Sequence, residues 1–421
     1  MSVQESRHAE RTVFVIGAGA VGLSAAIQLR RRGLAVTVVE EGQPAAGASY
    51  GNSGMLVADT AMPTSQPGMI WKVPGWLADP LGPLTVKARY FPRALPWLLR
   101  YLLSGTRSHV FHASMALRAL HQSTFEGWRE NVGANAMNRL TRRDGQVYLW
   151  EGLTEAPPRS LEDDVRSHLG IEAETLGIDQ IRQFFPGISS DVSYGLLIRG
   201  NGHTVDPGAL IRALATQFLG EGGDFVQERV VKLWRNETGR WVIMTNLNNY
   251  QADLVVVAAG AWSARLLEPL GVRIPLESER GYHVMLRNPS VRLGMPILNK
   301  TSYFGVSSMS EGLRVSGTVE IGGLDAPPSL PRAENLIKLA TRLFPQLTYD
   351  ETAYWMGHRP STPDGLPVIG PITGQQGLHV CFGHGHSGLT GAPMSGRLLA
   401  QLMTGEKPAI DPTPYAPARF A

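Results

Sequence analysis

The chain has 421 residues, 43% of them hydrophobic and 18% charged, with a formal net charge of +3. This length exceeds what one simple core supports, so we expect two closely packed domains, and the composition excludes a disordered or fibrous protein. No stretch concentrates Lys and Arg as nucleic-acid-binding proteins do, so we expect no nucleic-acid partner. A single cysteine, Cys381, excludes an internal disulfide framework and favours a reducing, cytoplasmic location.

Two segments bear on membrane contact. Residues 1–11 are polar and no run of about 18 apolar residues occurs, so we expect neither a secretion signal nor a spanning helix. Residues 70–105 mix aromatic with basic side chains, among them Trp71, Trp97, Lys72 and Arg100. This pattern predicts a helical hairpin packed on the enzyme or on a second subunit, or alternatively a peripheral contact with the inner face of a membrane. The oligomeric state is left open.

The first predicted elements are a strand at 12–16, a helix at 23–32 and a strand at 35–39. Between the first strand and the helix lies Gly17-Ala18-Gly19-Ala20-Val21-Gly22, a G-x-G-x-x-G sequence in the context that dinucleotide binding requires. Gly17 permits the tight turn, Gly19 lets a pyrophosphate approach the backbone, and Gly22 lets helix and strand pack closely. The free N–H groups at the start of the helix favour phosphate.

Two features that follow extend the nucleotide site. Glu40 ends the second strand, where a carboxylate can accept both ribose hydroxyls of a dinucleotide, and an acid at this position disfavours NADP. Residues 47–55 form a second loop of small residues, which can pass beneath a large cofactor and offer N–H groups to a flavin, or can be a plain surface loop. These features predict a dinucleotide and leave FAD and NAD both open.

The later elements alternate between helix and strand. Asp206 and Pro207 are typical of the N-cap and first residue of a helix that extends to about 219. The others are a strand at 225–233, a hairpin around 241–244, a buried strand at 254–259, a strand at 378–382 and a final helix at 391–403. This alternation predicts a parallel sheet covered on both faces. We assign residues 11–58, 205–275 and 352–421 to a cofactor domain, and residues 59–204 and 276–351 to a substrate domain.

Several later motifs resemble those of one flavoenzyme superfamily. Residues 254–263 resemble the strand-ending motif of glutathione-reductase-like FAD folds, residues 355–370 resemble the Arg-Pro-x-x-Pro-Asp segment of the D-amino-acid oxidase superfamily, and residues 382–390 resemble its C-terminal flavin loop. The chain is most similar to the glyphosate oxidoreductase and D-amino-acid dehydrogenase branch, through residues 201–204, 279–283, 312–320, 383–386 and 405–407. The resemblance implies an α/β fold (α+β overall), with a glutathione-reductase-like FAD-binding Rossmann domain and an antiparallel-sheet substrate domain.

The motifs and the resemblance together predict the contacts to FAD. The C-terminal loop lies between a strand and a helix, so its N–H groups and the helix dipole can face the flavin C2 carbonyl, where a reduced flavin carries negative charge. No cysteine lies at 357–363, the segment where sarcosine-oxidase relatives attach flavin, so we expect non-covalent FAD. The predicted FAD contacts are Gly17, Gly19, Ala20, Val21, Gly22, Glu40, Glu41, Ala48, Ser49, Gly51, Asn52, Ser53, Gly54, Met55, Val230, Ala259, Gly260, Trp262, Gly357, Arg359, Gly383, His384, Gly385, His386, Ser387, Gly388, Leu389 and Thr390.

Arg359 is the main predicted substrate residue. The matching arginine of the family pairs with the substrate carboxylate, and a guanidinium can bind a carboxylate through two parallel hydrogen bonds. A structural ion pair with Asp364 is the alternative. Tyr282, His283 and Tyr303 are predicted to form the pocket wall, although each of these residue types is more often found in a core.

Four further side chains complete the candidate set. His386 is predicted to lie near the flavin ring, with a structural role as the alternative. Arg280 is predicted either to bind a second acidic group or to pair with Glu279, and His203 can be a plain part of the loop before the Asp206 helix cap. The histidines lack the spacing of a metal site, so we expect no metal.

These features predict FAD-dependent oxidation of the C–N bond of a D-amino acid or an N-substituted glycine. The amine would bind neutral, its α-hydrogen would leave as hydride to flavin N5, and the imine would hydrolyse to a keto acid or aldehyde plus amine. The electrons would pass to a quinone or to O2, and the likeness to D-amino-acid dehydrogenase favours the quinone. Two alternatives are an FAD-bearing subunit of a larger electron-transfer complex, such as a heteromeric D-hydroxyproline or sarcosine dehydrogenase, and an NAD enzyme of unrelated chemistry.

Overall fold

The computed structural model describes residues 11–421, so the expectation of no secretion signal falls almost wholly outside the described residues. The strands are β1 (Thr12–Ile16), β2 (Ala35–Glu40), β3 (Met55–Leu56), β4 (Leu84–Val86), β5 (Thr141–Arg142), β6 (Gln146–Glu151), β7 (Glu174–Leu176), β8 (Val192–Ile198), β9 (Gly202–Thr204), β10 (Asp224–Gln227), β11 (Val230–Arg235), β12 (Trp241–Thr245), β13 (Asn249–Ala252), β14 (Leu254–Val257), β15 (Glu277–Leu286), β16 (Ile297–Asn299), β17 (Phe304–Met309), β18 (Gly312–Ile321), β19 (Thr352–Ser361), β20 (Val368–Pro371) and β21 (Leu378–Phe382). The α-helices are α1 (Ala20–Arg30), α2 (Met69–Ala78), α3 (Phe91–Ser104), α4 (Arg107–His121), α5 (Thr124–Leu140), α6 (Leu161–His168), α7 (Ile178–Phe184), α8 (Pro207–Gly220), α9 (Ser263–Leu267), α10 (Leu330–Leu343) and α11 (Gly388–Thr404).

A six-stranded sheet of order β10-β2-β1-β14-β21-β20 forms the cofactor half of the fold. Its first five strands run parallel, and β20 pairs antiparallel with β21 at the edge. β14 is buried along its whole length, as expected for a parallel strand covered on both faces. Helices α1, α8 and α11 pack on one face, while the β11-β12-β13 sheet covers the other. The predicted parallel sheet with two covered faces is confirmed, and its second cover is a small sheet rather than helices.

The helix and strand boundaries lie within three residues of the predicted ones except at 225–233. There the structure has two strands instead of one: β10 pairs parallel with β2, and β11 pairs antiparallel with β12 in the second sheet. Between them, Glu228 accepts hydrogen bonds from Asn248 Nδ2 at 2.7 Å and from the Tyr250 hydroxyl at 2.9 Å. These bonds hold the chain where it leaves one sheet for the other. The predicted cap of α8 is confirmed, because Asp206 Oδ1 accepts from the Ala209 N–H at 2.8 Å.

A nine-stranded sheet of order β19-β15-β18-β17-β16-β6-β8-β7, with β4 beside β18, forms the substrate half. The strands from β19 to β16 are antiparallel neighbours, and α10 packs against one face through a core of aliphatic side chains. The predicted antiparallel substrate sheet is therefore confirmed for these strands, whereas β16 pairs parallel with β6 and β18 pairs parallel with β4. The domain boundaries stay predictions, and β19, which lies inside the predicted cofactor range 352–421, pairs within this sheet.

Residues 70–105 form α2 and α3, separated by β4, rather than a simple hairpin. α2 contains no buried residue, whereas α3 buries Ala94 and Trp97. Trp97 Nε1 donates to the Ser361 carbonyl at 3.1 Å, which fixes α3 against β19. Within residues 11–421, none of the helices is both long and apolar enough to cross a bilayer.

Candidate active site

One large cavity of about 1520 Å³ lies where the two sheets meet. It is lined by the turn after β1, the end of β2, the loop at 46–53, the residues after β14, and the facing side chains of β15, β18 and β19. Ligand pockets commonly enclose ~300–1,000 Å³, so this cavity has room for a large cofactor together with a small substrate. The C-terminal ends of the parallel strands open into it, which is the usual position of a nucleotide in such sheets.

The turn after β1 has the backbone that the glycine sequence predicts. Gly17 has φ +112°, and a Cβ there would lie 2.4 Å from the Ala258 carbonyl oxygen. A Cβ at Gly22 would lie 2.0 Å from the Gly17 carbonyl oxygen. Both positions therefore require glycine for close packing of β1, α1 and β14. α1 begins at Ala20, and residues 20–22 of its first turn line the cavity, as expected for an anion site. The Ala20 N–H donates to Ser49 Oγ at 3.0 Å.

Glu40 lies at the end of β2, at the wall of this cavity. Its Oε2 accepts from the Ala18 N–H at 2.9 Å, and its Oε1 accepts from the Gly42 N–H at 3.2 Å. The carboxylate is thus held beside the glycine turn, where it can meet a ribose. Glu41 also lines the cavity and forms an exposed ion pair with Arg229 at 3.8 Å.

The second small-residue loop is held against the substrate sheet. His283 Nδ1 donates to the Gly51 carbonyl at 3.1 Å, and Arg314 donates to the Tyr50 carbonyl at 3.1 Å. The Trp355 ring stacks on His283 with centroids 5.0 Å apart. A Cβ at Gly51 would lie 2.0 Å from the Trp355 ring. This loop is therefore packed in place rather than a plain surface loop.

His283 does not line the cavity. It is 4% exposed, and burial together with the Arg314 charge lowers its pKa to about 3. The imidazole is therefore neutral and anchors the loop, so the structure gives no support to its predicted place in the pocket wall. Gly54 and Thr390, two predicted FAD contacts, also do not line the cavity. Gly54 faces the Thr204 carbonyl oxygen, which a Cβ would approach to 2.6 Å. Thr390 Oγ1 instead accepts from the Val57 N–H at 3.1 Å.

The C-terminal loop between β21 and α11 reaches the cavity through residues 383–389. His384 is buried, and its Nε2 lies 2.8 Å from Ser395 Oγ. Burial and the nearby His121 lower the pKa of His384 to about 3, so it is a neutral structural residue. Whereas His384 bonds to α11, His386 bonds to the substrate sheet, with its Nε2 2.7 Å from Glu279 Oε2 on β15.

Arg359 extends from β19 across the neighbouring strand. A Cβ on Gly281 would lie 2.2 Å from the Arg359 Cζ, so the glycine provides the space that the guanidinium occupies. Nη1 donates to the Thr318 carbonyl at 3.1 Å. Burial lowers the pKa of Arg359, and the charge of Glu279 opposes this change. Asp364, the alternative partner, instead pairs with Arg419 at 2.7 Å, and Arg359 forms no ion pair in the part of the chain that the structure describes.

The two predicted tyrosines differ in position. Tyr303 is 40% exposed at the cavity rim, where its ring meets Trp76 with centroids 5.6 Å apart. Tyr282 borders the cavity but is 2% exposed, and its hydroxyl donates to Glu320 at 3.1 Å and accepts from the Ser329 N–H at 2.9 Å. This hydroxyl is therefore already engaged in the protein core.

Two further expectations concern charged neighbours. Arg280 pairs with Glu320 at 2.7 Å rather than with Glu279, and it is fully buried, so a role in binding a second acidic group is not supported. His203 is buried in β9 and bonded into a small sheet with β3 and β5. Burial lowers its pKa to about 4. Sequence reasoning missed Glu279 and Gly281 as site residues, although both lie two residues apart on one strand, the spacing that puts side chains on the same face.

The remaining predicted FAD contacts lie along this cavity. They line its wall and comprise Gly17, Gly19, Ala20, Val21, Gly22, Ala48, Ser49, Gly51, Asn52, Ser53, Met55, Val230, Ala259, Gly260, Trp262, Gly357, Gly383, Gly385, Ser387, Gly388 and Leu389. Gly357 lies on β19 of the substrate sheet. A Rossmann-type sheet with this lining is typical of dinucleotide-dependent oxidoreductases, and here the antiparallel sheet forms the opposite wall of the cavity.

Comparison with known proteins gives the family. The model of the FAD-dependent oxidoreductase family (DAO) matches residues 12–402. A D-amino-acid oxidase of Bradyrhizobium diazoefficiens is 39% identical, over 99% of this chain and 99% of that protein. A glycine oxidase of Pseudomonas aeruginosa is 30% identical, over 96% of this chain and 98% of that protein. The solved structure of glycine oxidase from Geobacillus kaustophilus has a TM-score of 0.72 at 24% identity, covering 98% of this chain and 100% of that one.

The chain belongs to this family of FAD-dependent oxidoreductases. The predicted superfamily, fold and FAD-dependent amino-acid oxidation are confirmed at the level of the family. The alternative of an NAD enzyme of unrelated chemistry is thereby wrong.

Proposed function

We propose that this enzyme binds the carboxylate of an amino acid through Arg359 and oxidises the adjacent C–N bond with non-covalent FAD. The observation that carries the proposal is the Arg359 guanidinium, which lies over Gly281 in the same cavity as the glycine turn and forms no ion pair among residues 11–421. A guanidinium with unused donors in a shielded cavity favours a ligand that brings a carboxylate.

The residues on the cofactor side fit FAD. The first turn of α1 can hold the pyrophosphate, Glu40 can accept the ribose hydroxyls, and the packed loop at 47–53 with the C-terminal loop can flank the flavin. Bound FAD supplies a two-electron acceptor for the hydrogen on the substrate α-carbon, and water then hydrolyses the imine product. Cys381 is 1% exposed and burial raises the pKa of its thiol, which supports non-covalent attachment.

A D-amino acid is the first proposed substrate class, and an N-substituted glycine is the second. The 39%-identical relative is a D-amino-acid oxidase, and a 30%-identical relative of Rhizobium johnstonii is a D-amino acid dehydrogenase. Another relative, at 30% identity, is a glycine oxidase, which supports N-substituted glycines as the second proposed substrate class.

An anaerobic screen tests the proposal. Purified protein is mixed with D-amino acids, L-amino acids and N-alkyl glycines, and bleaching of the flavin absorbance is followed. We expect D-amino acids to bleach the wild type and the Arg359→Gln variant to lose at least 100-fold in apparent affinity or rate. Arg182→Gln, which changes an exposed arginine on α7, is the matched control. A wild type that holds FAD and is bleached by no amine would refute the proposal and favour a subunit of a larger complex.

We also propose a peripheral membrane contact through α2 and α3, with a quinone as the electron acceptor. Trp71 is 85% exposed, Leu103 is 77% exposed and Leu99 is 51% exposed, and Lys72 and Arg100 belong to the same two helices. Exposed apolar side chains beside basic ones suit an anionic membrane surface. The rival acceptor is O2, and one relative is named an oxidase. Comparing hydrogen peroxide formation with reduction of a soluble quinone, at equal substrate, separates the two.

A further inference from the structure

A buried carboxylate and a cavity histidine form a hydrogen-bonded pair next to Arg359. Glu279 is 5% exposed on β15, the strand next to the edge strand β19 of the substrate sheet, whereas the His386 side chain is 44% exposed and lines the cavity. Glu279 Oε2 and His386 Nε2 lie 2.7 Å apart, although 107 residues separate them in sequence. The pair joins the C-terminal loop to β15.

The hydrogen position in the pair follows from its donors and acceptors. Burial raises the pKa of Glu279, but the hydrogen bond from His386, together with the charge of Arg359, helps to bring that pKa below its ordinary value. An ionised carboxylate can only accept, so the hydrogen between the two residues is carried by His386 Nε2. In the neutral imidazole Nδ1 then keeps a lone pair, and no hydrogen bond to Nδ1 is formed among residues 11–421. The neutral form of His386 is therefore the tautomer of a proton acceptor directed by a carboxylate.

The pair stands beside the proposed carboxylate site. Glu279 and Arg359 face each other across β15 and β19, and directly opposite residues have Cβ atoms about 4.5–5.5 Å apart. An α-amino acid carries its amine on the carbon next to its carboxylate, so an amino acid bound to Arg359 brings its ammonium close to the Glu279–His386 pair. Two further titratable groups interact with the Glu279 charge. Tyr101 of α3 stays neutral, because burial and that charge both raise its pKa. Glu277, two residues before Glu279 on β15, has a pKa that is raised by burial and also by the Glu279 charge.

We propose that His386 Nδ1 accepts one proton from the substrate ammonium, and that Glu279 is the positioning residue that orients His386 and stabilises its charged form. One N–H bond of the ammonium breaks, its electron pair stays on nitrogen, and the proton bonds to the Nδ1 lone pair. The substrate is left as the neutral amine, the form from which a hydride can leave the α-carbon. This inference rests on the proposed function and names a general base within it.

The first test uses binding without turnover. 2-Aminoisobutyrate has no α-hydrogen and so cannot be oxidised, and isobutyrate has the same shape without the amine. Holoenzyme labelled with 15N-histidine is examined by NMR at pH 8, with the His386→Gln variant identifying the His386 signal. We expect 2-aminoisobutyrate, but not isobutyrate, to convert that signal from neutral imidazole to imidazolium. No conversion, or an imidazolium already present without ligand, would overturn the proposal.

The second test is the pH dependence of flavin reduction. His386→Gln is expected to lower the anaerobic rate at pH 7 by ~10²–10⁴-fold, the usual contribution of a general base. That rate should rise about tenfold per pH unit as the substrate amine loses its proton to solvent. Glu279→Gln is expected to lose at least tenfold at pH 7 and to move the acidic limb of the profile to lower pH, because imidazolium loses its stabilising charge.

A matched control separates this role from a structural one. Glu151→Gln removes a buried carboxylate of β6 in the same sheet, which accepts from Arg342 Nη2 at 2.9 Å and does not line the cavity. It should keep the wild-type pH profile. Flavin content and melting temperature are measured for every variant, so loss of fold is recognised. If FAD-loaded His386→Gln and Glu279→Gln keep the wild-type profile, the inference is wrong while the proposed function stands. If no amine bleaches the wild type, the proposed function fails and the NMR signal still decides the inference.

Discussion

Replacing Gly281 by alanine tests the placement of Arg359 without touching its charge. The added Cβ would lie 2.2 Å from the Arg359 Cζ, whereas carbon atoms in contact are about 3.5–4.0 Å apart. The guanidinium must therefore move by ~1.3–1.8 Å. A misplacement of about 1 Å can cost ~10²-fold in rate. We expect kcat/KM for the best D-amino acid to fall at least ~100-fold, about 2.7 kcal/mol of transition-state stabilisation.

The assay is anaerobic flavin reduction by stopped flow, at several substrate concentrations, with flavin content and melting temperature measured on the same sample. Gly294→Ala is the control, because a Cβ there would have no neighbour within 4 Å. Overpacking by one methyl can also cost ~1–3 kcal/mol of stability, so the variant must be shown to be folded and loaded with FAD. A loaded Gly281→Ala enzyme with wild-type kcat/KM would refute the assignment of Arg359 as the carboxylate site.

Three other perturbations have definite expected outcomes. Gly17→Ala puts a Cβ 2.4 Å from the Ala258 carbonyl oxygen at a φ of +112°, so we expect purified protein with little or no flavin absorbance. His384 is neutral in the fold, because burial lowers its pKa to about 3 from an ordinary value of 6.5. Its stabilisation is therefore fully present above pH 6.5 and is lost as the pH falls toward 3, by up to about 1.4 kcal/mol per pH unit. Denaturant titrations between pH 7 and 5 should show a smaller decline for His384→Asn than for the wild type, and equal declines would contradict this account. The double variant Trp71→Ser/Leu103→Ser, which changes side chains 85% and 77% exposed, should sediment less with anionic vesicles and keep its rate with a soluble acceptor, whereas unchanged sedimentation would exclude α2 and α3 as the contact.

The cofactor half of the fold could be predicted because its signals are local. The turn at 17–22, the strand that follows it and Glu40 lie within one short segment, and each has a steric or electrostatic requirement that limits the residue type. The strand predicted at 225–233 was divided for a nonlocal reason. Glu228, between the two strands, accepts hydrogen bonds from Asn248 and Tyr250. No pattern within residues 225–233 indicates those two partners.

The substrate half could be predicted only as a sheet, since its contacts join distant parts of the chain. His283 reaches Gly51 across 232 residues, and the Glu279–His386 pair spans 107. Arg359 bonds to the Thr318 carbonyl rather than to the predicted partner Asp364, because Asp364 pairs with Arg419 near the C-terminus. Residue type alone gives none of these pairings.

One rule would nevertheless have sorted the Glu-Arg-Gly-Tyr-His run correctly. Successive side chains of a strand point to opposite faces, so residues 279, 281 and 283 share one face of β15, and 280 and 282 share the other. The structure follows this division: Glu279 meets His386, Gly281 leaves room for Arg359, and His283 holds the loop at 51. The opposite face carries Arg280 and Tyr282, and both bond to Glu320.

The alternation of side chains along β15 also explains how one strand can border both the proposed substrate site and the proposed flavin loop. On its cavity face, β15 pairs Gly281 with Gly357 of β19, and this pair of glycines leaves a shallow channel in the sheet. Arg359 folds over one glycine and the Trp355 ring over the other, where an added Cβ would lie 2.2 Å and 1.9 Å from them. The Trp355 ring also packs against the loop at Gly51. Trp355, which packs the proposed flavin loop, and Arg359, which is proposed to bind substrate, therefore lie side by side over the same two strands. Both side chains belong to β19, so any shift of that strand would move them together and would couple the proposed carboxylate site to the proposed flavin loop.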